Sequence, residues 1–429
     1  MPAVANRSSD HLVLRAYALA FALALGVTVS NSFARFAYAL VLPAMRSELQ
    51  WSYAQAGWLN TANAIGYLIG AIFTRLVIRH TGNRMLFIGG VFLTALAILA
   101  TGYTRDIFWL GVWRIVSGIT GATAFIAGGA LSGNLLPARP QTASTTIAIY
   151  FAGGGVGFLL CGVALPLLLD AAGAAAWPRA WVWMGWAALA MCCVCTWAAR
   201  QIAEPGAAPD AVRDHPPGLP DRAGNRPTEN SKNDASIAAA RTGVKALKAG
   251  LAAYTLFGLG YIGYMTFVIA WMRDNGAGTG AVIAVWSAFG IASLAGPWLW
   301  RHPLTYWPPG RMLAGALAMV ALGALLPLLH AGIASMLLSA ALFGASMWNI
   351  PGAVTALAKR ALPDAEWGAA VASFTIVFAI GQIAGPVLTG WLADAFGGLR
   401  VGLSCSVAVL ALGALIALRQ RDVKQPEPV

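Results

Sequence analysis

Residues 107–136 read IFWLGVWRIVSGITGATAFIAGGALSGNLL, and Arg114 is the one charged side chain among them. A helix needs about 20 apolar residues to cross a bilayer, so this segment is long enough and apolar enough to span one. The whole chain has the same character, because 59% of its 429 residues are hydrophobic and 10% are charged. Soluble proteins have about 45–50% and about 25%, respectively. The composition predicts an integral membrane protein and excludes the secreted, cytosolic and nucleic-acid-binding classes.

Further apolar runs on both sides of this segment bring the number of predicted membrane spans to twelve. They lie near 16–45, 52–78, 85–103, 107–136, 141–169, 178–199, 245–272, 279–300, 311–330, 333–358, 366–393 and 399–418. The predicted fold class is therefore all-α, a polytopic membrane protein with twelve transmembrane helices in two six-helix bundles.

A polar break separates the sixth span from the seventh. Residues 200–243 hold six prolines and six acidic residues. A segment of this composition cannot bury enough apolar surface to offset the entropy lost on ordering. We predict a first bundle over 1–199, a disordered cytoplasmic linker over 200–243 and a second bundle over 244–429.

The basic residues fall mainly on one side of the predicted membrane. Of the 28 Lys and Arg, 21 lie in the termini, the linker and the loops on that same side, five lie in the opposite loops, and two lie within spans. Cytoplasmic loops of membrane proteins carry an excess of Lys and Arg. The distribution predicts a multi-pass protein of the bacterial inner membrane with both termini in the cytoplasm.

The two halves of the chain repeat each other at a nearly constant offset. Tyr38 and Tyr264 are 226 residues apart, and so are Gly70 and Gly296. Further pairs at offsets of 226 to 228 are Arg75/Arg301, Arg46/Arg273, Gly82/Gly310, Gly153/Gly381, Gly157/Gly385 and Gly162/Gly390. Parallel six-span repeats are typical of transporters that work by alternating access.

Two motifs in the first half carry a family resemblance. The fourth span reads Arg114-Ile-Val-Ser-Gly118-Ile-Thr-Gly121-Ala122, which is similar to the R-x-x-x-G-x-x-G-A element of the major facilitator superfamily. The loop between spans 2 and 3 resembles that superfamily's G-x-x-x-D-R-x-G-R-R signature, except that Thr74 stands where the aspartate is expected. The residues that correspond to this signature are Gly70, Arg75, Gly82 and Arg84.

The resemblance extends over essentially the whole chain. The stretches SFARFAYALVLPAMRSEL (32–49) and QAGWLNTANAIGYLIGA (55–71) further resemble the YbfB-type subgroup of the superfamily, whose substrates are poorly defined. The resemblance implies a transporter with two six-helix bundles, in which spans 1 and 4 line a central cavity.

Glycines recur at similar spacing in spans 5 and 11. Small residues about four positions apart let the backbones of neighbouring membrane helices approach closely. We interpret these rows as packing faces, and a hinge that rocks is the alternative. The residues are Gly153, Gly157 and Gly162 in span 5 and Gly381, Gly385, Pro386 and Gly390 in span 11.

Arg35 and Arg114 are the two charged residues that the sequence places inside spans. An arginine near the middle of a membrane costs about 2.5–3.5 kcal/mol on insertion scales, and it persists facing a wet cavity or a partner. The guanidinium group favours a carboxylate or phosphate, because its planar fork donates two hydrogen bonds. We predict that both bind an anionic substrate. The structural alternatives are that Arg114 donates to backbone carbonyls and that Arg35 extends to the membrane surface.

Polar and aromatic residues on the same helices complete a candidate pocket. Each of them has an alternative role as a hydrogen-bonding contact between helices. They are Asn31, Tyr38, Asn60, Asn63, Tyr150, Tyr261, Tyr264, Asn349 and Gln382.

No acidic residue and no histidine lies near the middle of a predicted span. Proton-coupled carriers usually place such a group inside the bilayer. Coupling to a proton is therefore absent, depends on the substrate itself, or uses Glu48, Asp106 or Asp274 near the ends of spans.

These observations favour a secondary transporter that moves a small organic anion by alternating access. One alternative is an exporter of hydrophobic compounds, and another, of a different class, is a membrane sensor or assembly protein on the same fold. The sequence has no Walker loop, paired carboxylates or Ser/His constellation at membrane depth, so we predict that it is not an enzyme. We expect a monomer in the lipid bilayer without metal, cofactor or nucleic-acid partner, and the five cysteines are interpreted as helix-packing residues.

Overall fold

The computed structural model describes residues 2–136, 140–202, 247–362 and 367–420. Within these ranges the regular structure is helical, without a strand, and twelve helical spans are long and apolar enough to cross a membrane. This confirms the predicted all-α fold with twelve transmembrane helices. The predicted linker over 200–243 lies, beyond Ile202, outside the described residues.

Nine of the twelve spans are single α-helices, and their ends lie within a few residues of those predicted from the apolar runs. Spans 2 to 7, 9, 11 and 12 are Tyr53–Thr81, Asn83–Thr101, Ile107–Gly133, Pro140–Ala172, Trp177–Arg200, Lys248–Asp274, Pro309–Leu329, Trp367–Ala395 and Leu399–Leu418.

Spans 1, 8 and 10 are interrupted. Span 10 consists of Ile333–Met347 and Ile350–Ala361, and the break precedes Pro351, which has no backbone N–H to continue a helix. Span 8 consists of Thr279–Leu299 and Arg301–Tyr306. Span 1 consists of Pro2–Val27, a π-helix over Thr28–Phe36, and Tyr38–Leu49.

Packing between spans follows a two-fold pseudo-symmetry. In the first half, span 1 packs on spans 5 and 6, span 4 on spans 2 and 3, and span 3 on span 6. Each of these contacts recurs in the second half six spans later. Between the halves, span 2 packs on span 11 and span 5 on span 8, which are again equivalent pairs. The sequence repeat therefore corresponds to two six-helix bundles that face each other.

The glycine rows lie where helix backbones approach most closely. A Cβ atom at Gly153 of span 5 would overlap the carbonyl oxygen of Ala24 in span 1, and one at Gly381 of span 11 would overlap that of Thr255 in span 7. Thr28 and Ser32 use this closeness, because their hydroxyl groups donate to the carbonyls of Gly153 and Gly154, each at 2.8 Å. In both halves, therefore, a glycine of the row lies at a close contact between helices, which agrees with the interpretation of the rows as packing faces.

The last glycine of each row packs across the two halves. A Cβ atom at Gly390 of span 11 would overlap the carbonyl oxygen of Tyr53 in span 2, and one at Gly162 of span 5 would lie 2.7 Å from the Trp286 ring in span 8. The same spans thus hold each bundle together and join it to the other.

Substitution of Gly153 tests this packing, with its neighbour as the matched control. We expect Gly153→Ala to lower the unfolding free energy by about 1–3 kcal/mol, because the methyl group forces spans 1 and 5 apart. Gly154→Ala should change stability little, since its Cβ would lie 3.7 Å from Val27, an ordinary contact. Thermal melting of the purified proteins in detergent measures both. Equal melting temperatures for the two variants would contradict the assignment.

Candidate functional site

The π-helix of span 1 contains two of the predicted site residues, Asn31 and Arg35, and all nine of its residues are buried. Single π-helical turns in α-helices are frequent at functional sites. Here the wider turn is fastened to span 5 by the hydroxyl groups of Thr28 and Ser32. It places Arg35 between the two halves of the molecule.

Arg35 is buried and only partly satisfied. Its side chain is 5% exposed, and its Nη2 atom donates to the Tyr261 hydroxyl at 3.5 Å, the long limit for a hydrogen bond. The Nε atom has no hydrogen-bond partner. In the described part of the chain no carboxylate forms an ion pair with Arg35, and the ion pair found there joins Arg105 to Glu48 at 3.0 Å. A buried cation is thus left without a counter-charge, and its Nε–H is a buried donor without a partner.

Tyr261 of span 7 connects Arg35 to span 11. Its hydroxyl oxygen also accepts a hydrogen bond from the Nε2 atom of Gln382, as that amide is oriented. No acceptor for the hydroxyl hydrogen itself is found among the described residues. The structure therefore brings together three predicted site residues, Arg35, Tyr261 and Gln382, and the donors left free there include Arg35 Nε and the Tyr261 O–H.

Arg114 has a different environment. Its side chain is 1% exposed and donates to the carbonyl oxygens of Ala34 and Leu59, the latter at 3.2 Å. It also contacts Asn60 Oδ1 at 3.5 Å and lies over the Tyr38 ring, 5.1 Å from its centre. These partners belong to spans 1 and 2, so the guanidinium joins them to span 4. The geometry favours the structural alternative for Arg114 over the predicted substrate contact.

The amides of span 2 serve similar contacts. Asn60 donates to Thr266 Oγ1 at 2.6 Å and so reaches span 7 in the other half. Asn63 donates to the Arg114 carbonyl at 3.2 Å and to Ser117 Oγ at 3.1 Å.

Four of the remaining predicted pocket residues have hydrogen-bond partners inside the protein. Tyr38 donates to the Ala56 carbonyl at 2.7 Å, and Asn349 donates to that of Ala345 at 2.8 Å. Tyr150 contacts the carbonyl oxygens of Ala124 and Phe125 at 3.2 and 3.1 Å. The Tyr264 hydroxyl pairs with Ser339 at 2.8 Å, beside a small apolar cleft between spans 7, 8 and 10. These contacts match the role of joining helices.

The motif residues of the first half divide into packing and loop positions. A Cβ atom at Gly70 would overlap the Ile119 carbonyl oxygen, and one at Gly118 would overlap that of Asn63, so both let spans 2 and 4 approach closely. A Cβ atom at Gly121 would lie 3.1 Å from the carbonyl oxygen of Ser30 in span 1. Gly82 has a φ of 77°, a backbone conformation that favours glycine.

The two basic motif residues have different surroundings. Arg84 donates to the carbonyls of Ala199, at 3.1 Å, and Ile202, and so fastens span 3 to span 6. Arg75 is exposed. Thr74, where the signature has an aspartate, bonds to Thr123 at 3.0 Å.

The motif residues of span 11 pack against spans 7 and 2. A Cβ atom at Gly385 would overlap the Leu259 carbonyl oxygen of span 7. The Pro386 carbonyl lies where a Cβ atom at Gly57 of span 2 would be. Pro386 therefore sits at the junction of the two halves.

A stack of aromatic rings beside Arg35 was not predicted from the sequence. The Tyr261 ring lies 4.7 Å from that of Phe257 and 5.7 Å from that of Phe378, at interplanar angles of 20° and 9°. Phe378 stacks in turn on Tyr254 at 4.6 Å and 14°. Tyr254, Phe257 and Tyr261 are three and four residues apart, which places them on one face of span 7. This spacing of aromatic residues is the feature of the sequence from which the stack could have been predicted.

The end of the molecule opposite the termini, here called the distal end, is closed by contacts between the halves. Asp394 at the end of span 11 accepts hydrogen bonds from the backbone N–H groups of Tyr53 and Ala54, at 2.9 and 2.8 Å. These are the first residues of span 2, where a carboxylate is favoured by the helix dipole. The Tyr53 hydroxyl donates to Asp274 at 2.8 Å, and Arg46 lies 3.6 Å from the centre of its ring.

An equivalent set of residues closes the other side of the distal end. Asp170 at the end of span 5 accepts a hydrogen bond at 2.7 Å from Thr279, the first residue of span 8. Arg273, the repeat partner of Arg46, contacts Thr279 Oγ1 at 3.3 Å. We call Asp394 with Tyr53 and Arg46, and Asp170 with Thr279 and Arg273, the two distal latches.

The three acids considered for proton coupling lie in different settings. Glu48 pairs with Arg105, and Asp106 caps span 4 by accepting from Phe108 and Trp109, each at 3.1 Å. Asp274 alone among these three contacts the opposite half. Asp170 and Asp394 were missed because the sequence does not reveal which helix end a loop acid will meet.

We expect the latches to favour the closed distal end. Asp394→Ala removes two charge-assisted hydrogen bonds, each worth about 1.5–3 kcal/mol, and should raise the open population relative to the closed one by at least about 10-fold. Spin labels at Ser47 and Phe396, both exposed, report the separation of the halves by pulsed electron resonance. Asp106→Ala is the control, since Asp106 bonds within its own half. An unchanged distance distribution for Asp394→Ala would rule out the latch.

Comparison with known proteins agrees with the sequence resemblance. A family model described as "Uncharacterised MFS-type transporter YbfB" matches residues 23–218 and 219–418. No curated protein matches the sequence.

Solved transporter structures share the fold over nearly the full length. A bacterial homolog of the human lysosomal transporter Spinster, inward-facing and unoccupied, is 16% identical with a TM-score of 0.69, covering 96% of this chain and 99% of that one. The nucleoside transporter NupG is 12% identical with a TM-score of 0.67, covering 95% and 98%. A D-xylose–proton symporter is 15% identical with a TM-score of 0.69, covering 96% and 99%. At these identities the similarity shows the fold alone.

Proposed function

Because the chain belongs to the YbfB family of major facilitator superfamily transporters, we propose that it moves a small organic anion across the bacterial inner membrane by alternating access. Membership in a transporter family makes it a transporter of a small molecule and a multi-pass membrane protein. We propose in addition that the substrate is an anion and that the membrane is the bacterial inner membrane. We also propose that both termini lie in the cytoplasm and the distal end lies outside.

The observation that supports an anionic substrate is that Arg35 lacks a counter-charge and a full set of hydrogen-bond partners. Its guanidinium is buried without a counter-charge in the described part of the chain, and its Nε atom has no partner. An unpaired buried charge costs several kcal/mol, which a bound anion relieves. Arg114 does not share this need, because its donors meet carbonyl oxygens. The unpaired Nε–H of Arg35 thus matches an acidic group that accepts a hydrogen bond and carries a negative charge.

The position of the site between the halves links binding to the conformational change. Arg35 belongs to the first bundle, whereas Tyr261 and Gln382 belong to the second. An anion held by Arg35 Nε and the Tyr261 hydroxyl contacts both bundles at once. A ligand shifts a conformational equilibrium by its difference in affinity for the two states, and a site shared by two moving bodies provides such a difference. The closed distal latches correspond to the state that is shut toward the outside.

A second transport function has its own observation. The aromatic surroundings of Arg35 and the apolar cleft beside Tyr264 and Ser339 favour export of hydrophobic compounds as the second candidate. Uptake into proteoliposomes, with a panel of carboxylates and with or without a pH gradient, separates these functions and reports proton coupling.

Arg35 variants test the anion directly. Arg35→Gln should weaken carboxylate binding about 10–150-fold, because a charge-assisted hydrogen bond contributes about 1.5–3 kcal/mol. Arg35→Lys should retain part of the affinity, since the point charge survives. Titration calorimetry on the purified protein measures both, and expression of both variants should stay near normal. Undiminished carboxylate binding by Arg35→Gln would shift the proposal to hydrophobic export.

Arg114 should behave in the opposite way. Arg114→Gln leaves the carbonyl oxygens of Ala34 and Leu59 without their donor, and it removes the link from span 4 to spans 1 and 2. We expect a loss of stability of about 3–5 kcal/mol, the usual effect of breaking a buried charged network. The yield of monodisperse protein and its melting temperature measure this. A stable Arg114→Gln protein that no longer binds carboxylates would restore the predicted substrate contact.

A further inference from the structure

We propose that the anion bound at Arg35 is a planar aromatic carboxylate, an inference that rests on the proposed function of this site. Two features of the same place carry it. The Nε–H of Arg35 and the O–H of Tyr261 are donors that a carboxylate can engage, and the side chains beside them are aromatic rings.

The ring stack and the donors share one residue. The Tyr261 hydroxyl is the hydrogen-bond partner of Arg35, and its ring is nearly parallel to those of Phe257 and Phe378. A carboxylate that accepts from both the Tyr261 O–H and Arg35 Nε therefore has its body directly beside this stack. Aromatic pairs in offset-stacked geometry are more favourable than burial of the same area alone.

Rings also surround Arg35 on the side of the first bundle and span 10. The Tyr67 and Phe36 ring centres lie 5.2 and 5.7 Å from the guanidinium carbon. Trp348 meets Phe36 edge to face at 6.0 Å, at the break in span 10. Tyr67, Trp348 and Phe378 are each only partly buried, so they keep ring surface for a ligand to cover.

Highly hydroxylated ligands fit this site poorly. A sugar or nucleoside needs several donors and acceptors around its ring. Two amides of the spans that meet here already donate elsewhere, Asn60 to Thr266 and Asn349 to Ala345. One acidic group and an apolar planar body match what remains.

Charge narrows the choice further. Because the donors of Arg114 already meet carbonyl oxygens, Arg35 is the arginine available to the ligand; it balances one negative charge, as in a carboxylate, whereas a phosphate ester at neutral pH carries nearly two. The monocarboxylate also uses the donors present, because its two oxygens accept from Arg35 Nε and from the Tyr261 hydroxyl.

Three ligands with six-membered rings distinguish the effect of charge on binding from the effect of aromaticity. Benzoate carries both, cyclohexanecarboxylate carries the charge on a puckered ring, and benzamide carries the ring without the charge. We expect titration calorimetry on the full chain in detergent to show benzoate binding about 2–10-fold more tightly than cyclohexanecarboxylate. Benzamide should bind more weakly than either acid.

Substitutions in the aromatic rings beside Arg35, here called the ring wall (Phe378 and Tyr67), test whether these rings cause the preference for benzoate. Phe378→Leu should bring benzoate affinity down to that of cyclohexanecarboxylate and leave the latter unchanged. Tyr67→Leu provides an independent second variant, and Phe92→Leu, an exposed position in span 3, is the matched control. Arg35→Gln should weaken binding of both acids alike.

The outcomes distinguish this inference from the proposed function. Equal affinity for benzoate and cyclohexanecarboxylate, both lost in Arg35→Gln, would overturn the aromatic class and leave the anion transporter standing. Binding of benzamide as tight as that of benzoate, or no binding of either acid, would overturn the proposed function itself. A benzoate preference that survives both Phe378→Leu and Tyr67→Leu would show that the ring wall is not its source.

Discussion

In the hydrocarbon layer no water satisfies a polar group, so each donor on a membrane helix must find its acceptor inside the protein. Arg114 meets this constraint with backbone carbonyls of Ala34 and Leu59, and in doing so it fixes spans 1, 2 and 4 relative to one another. Arg35 lies in the same bundle and is left with a free Nε atom. Although both residues are buried arginines, their partners give them different roles: Arg114 joins helices, whereas Arg35 is available to a ligand.

The elements that were predictable are those fixed by local composition. Twelve apolar runs correspond to twelve spans, because the length and apolarity of a segment decide whether it can cross a bilayer. Arg35 and Tyr261 were both candidates because they are polar residues in apolar spans, but the sequence did not show that they contact each other. The π-helix over Thr28–Phe36 was not predictable, since it depends on hydroxyl contacts with Gly153 and Gly154, more than a hundred residues away. The sequence left Arg114 open between a substrate contact and donation to backbone carbonyls, because the carbonyls that decide this lie in spans 1 and 2.

The repeat in the sequence reappears as a repeat of contacts, including contacts that no single half contains. The acid at the end of span 11 meets the beginning of span 2, and the acid at the end of span 5 meets the beginning of span 8. Each bundle therefore supplies a carboxylate to a helix of the other. Such an exchange arises when two copies of one bundle face each other across a two-fold axis, because whatever one copy presents the other receives.

The two distal latches have a geometrical consequence. A rigid body held at one point keeps three rotations, but held at two separate points it keeps only the rotation about the line that joins them. The Asp394 and Asp170 contacts supply two such points at the same end of the molecule, on opposite sides of the interface. While both hold, twisting and sliding of one bundle on the other are blocked, and a single swing remains that parts the bundles at the opposite end. The direction of opening is thereby set by where two carboxylates lie.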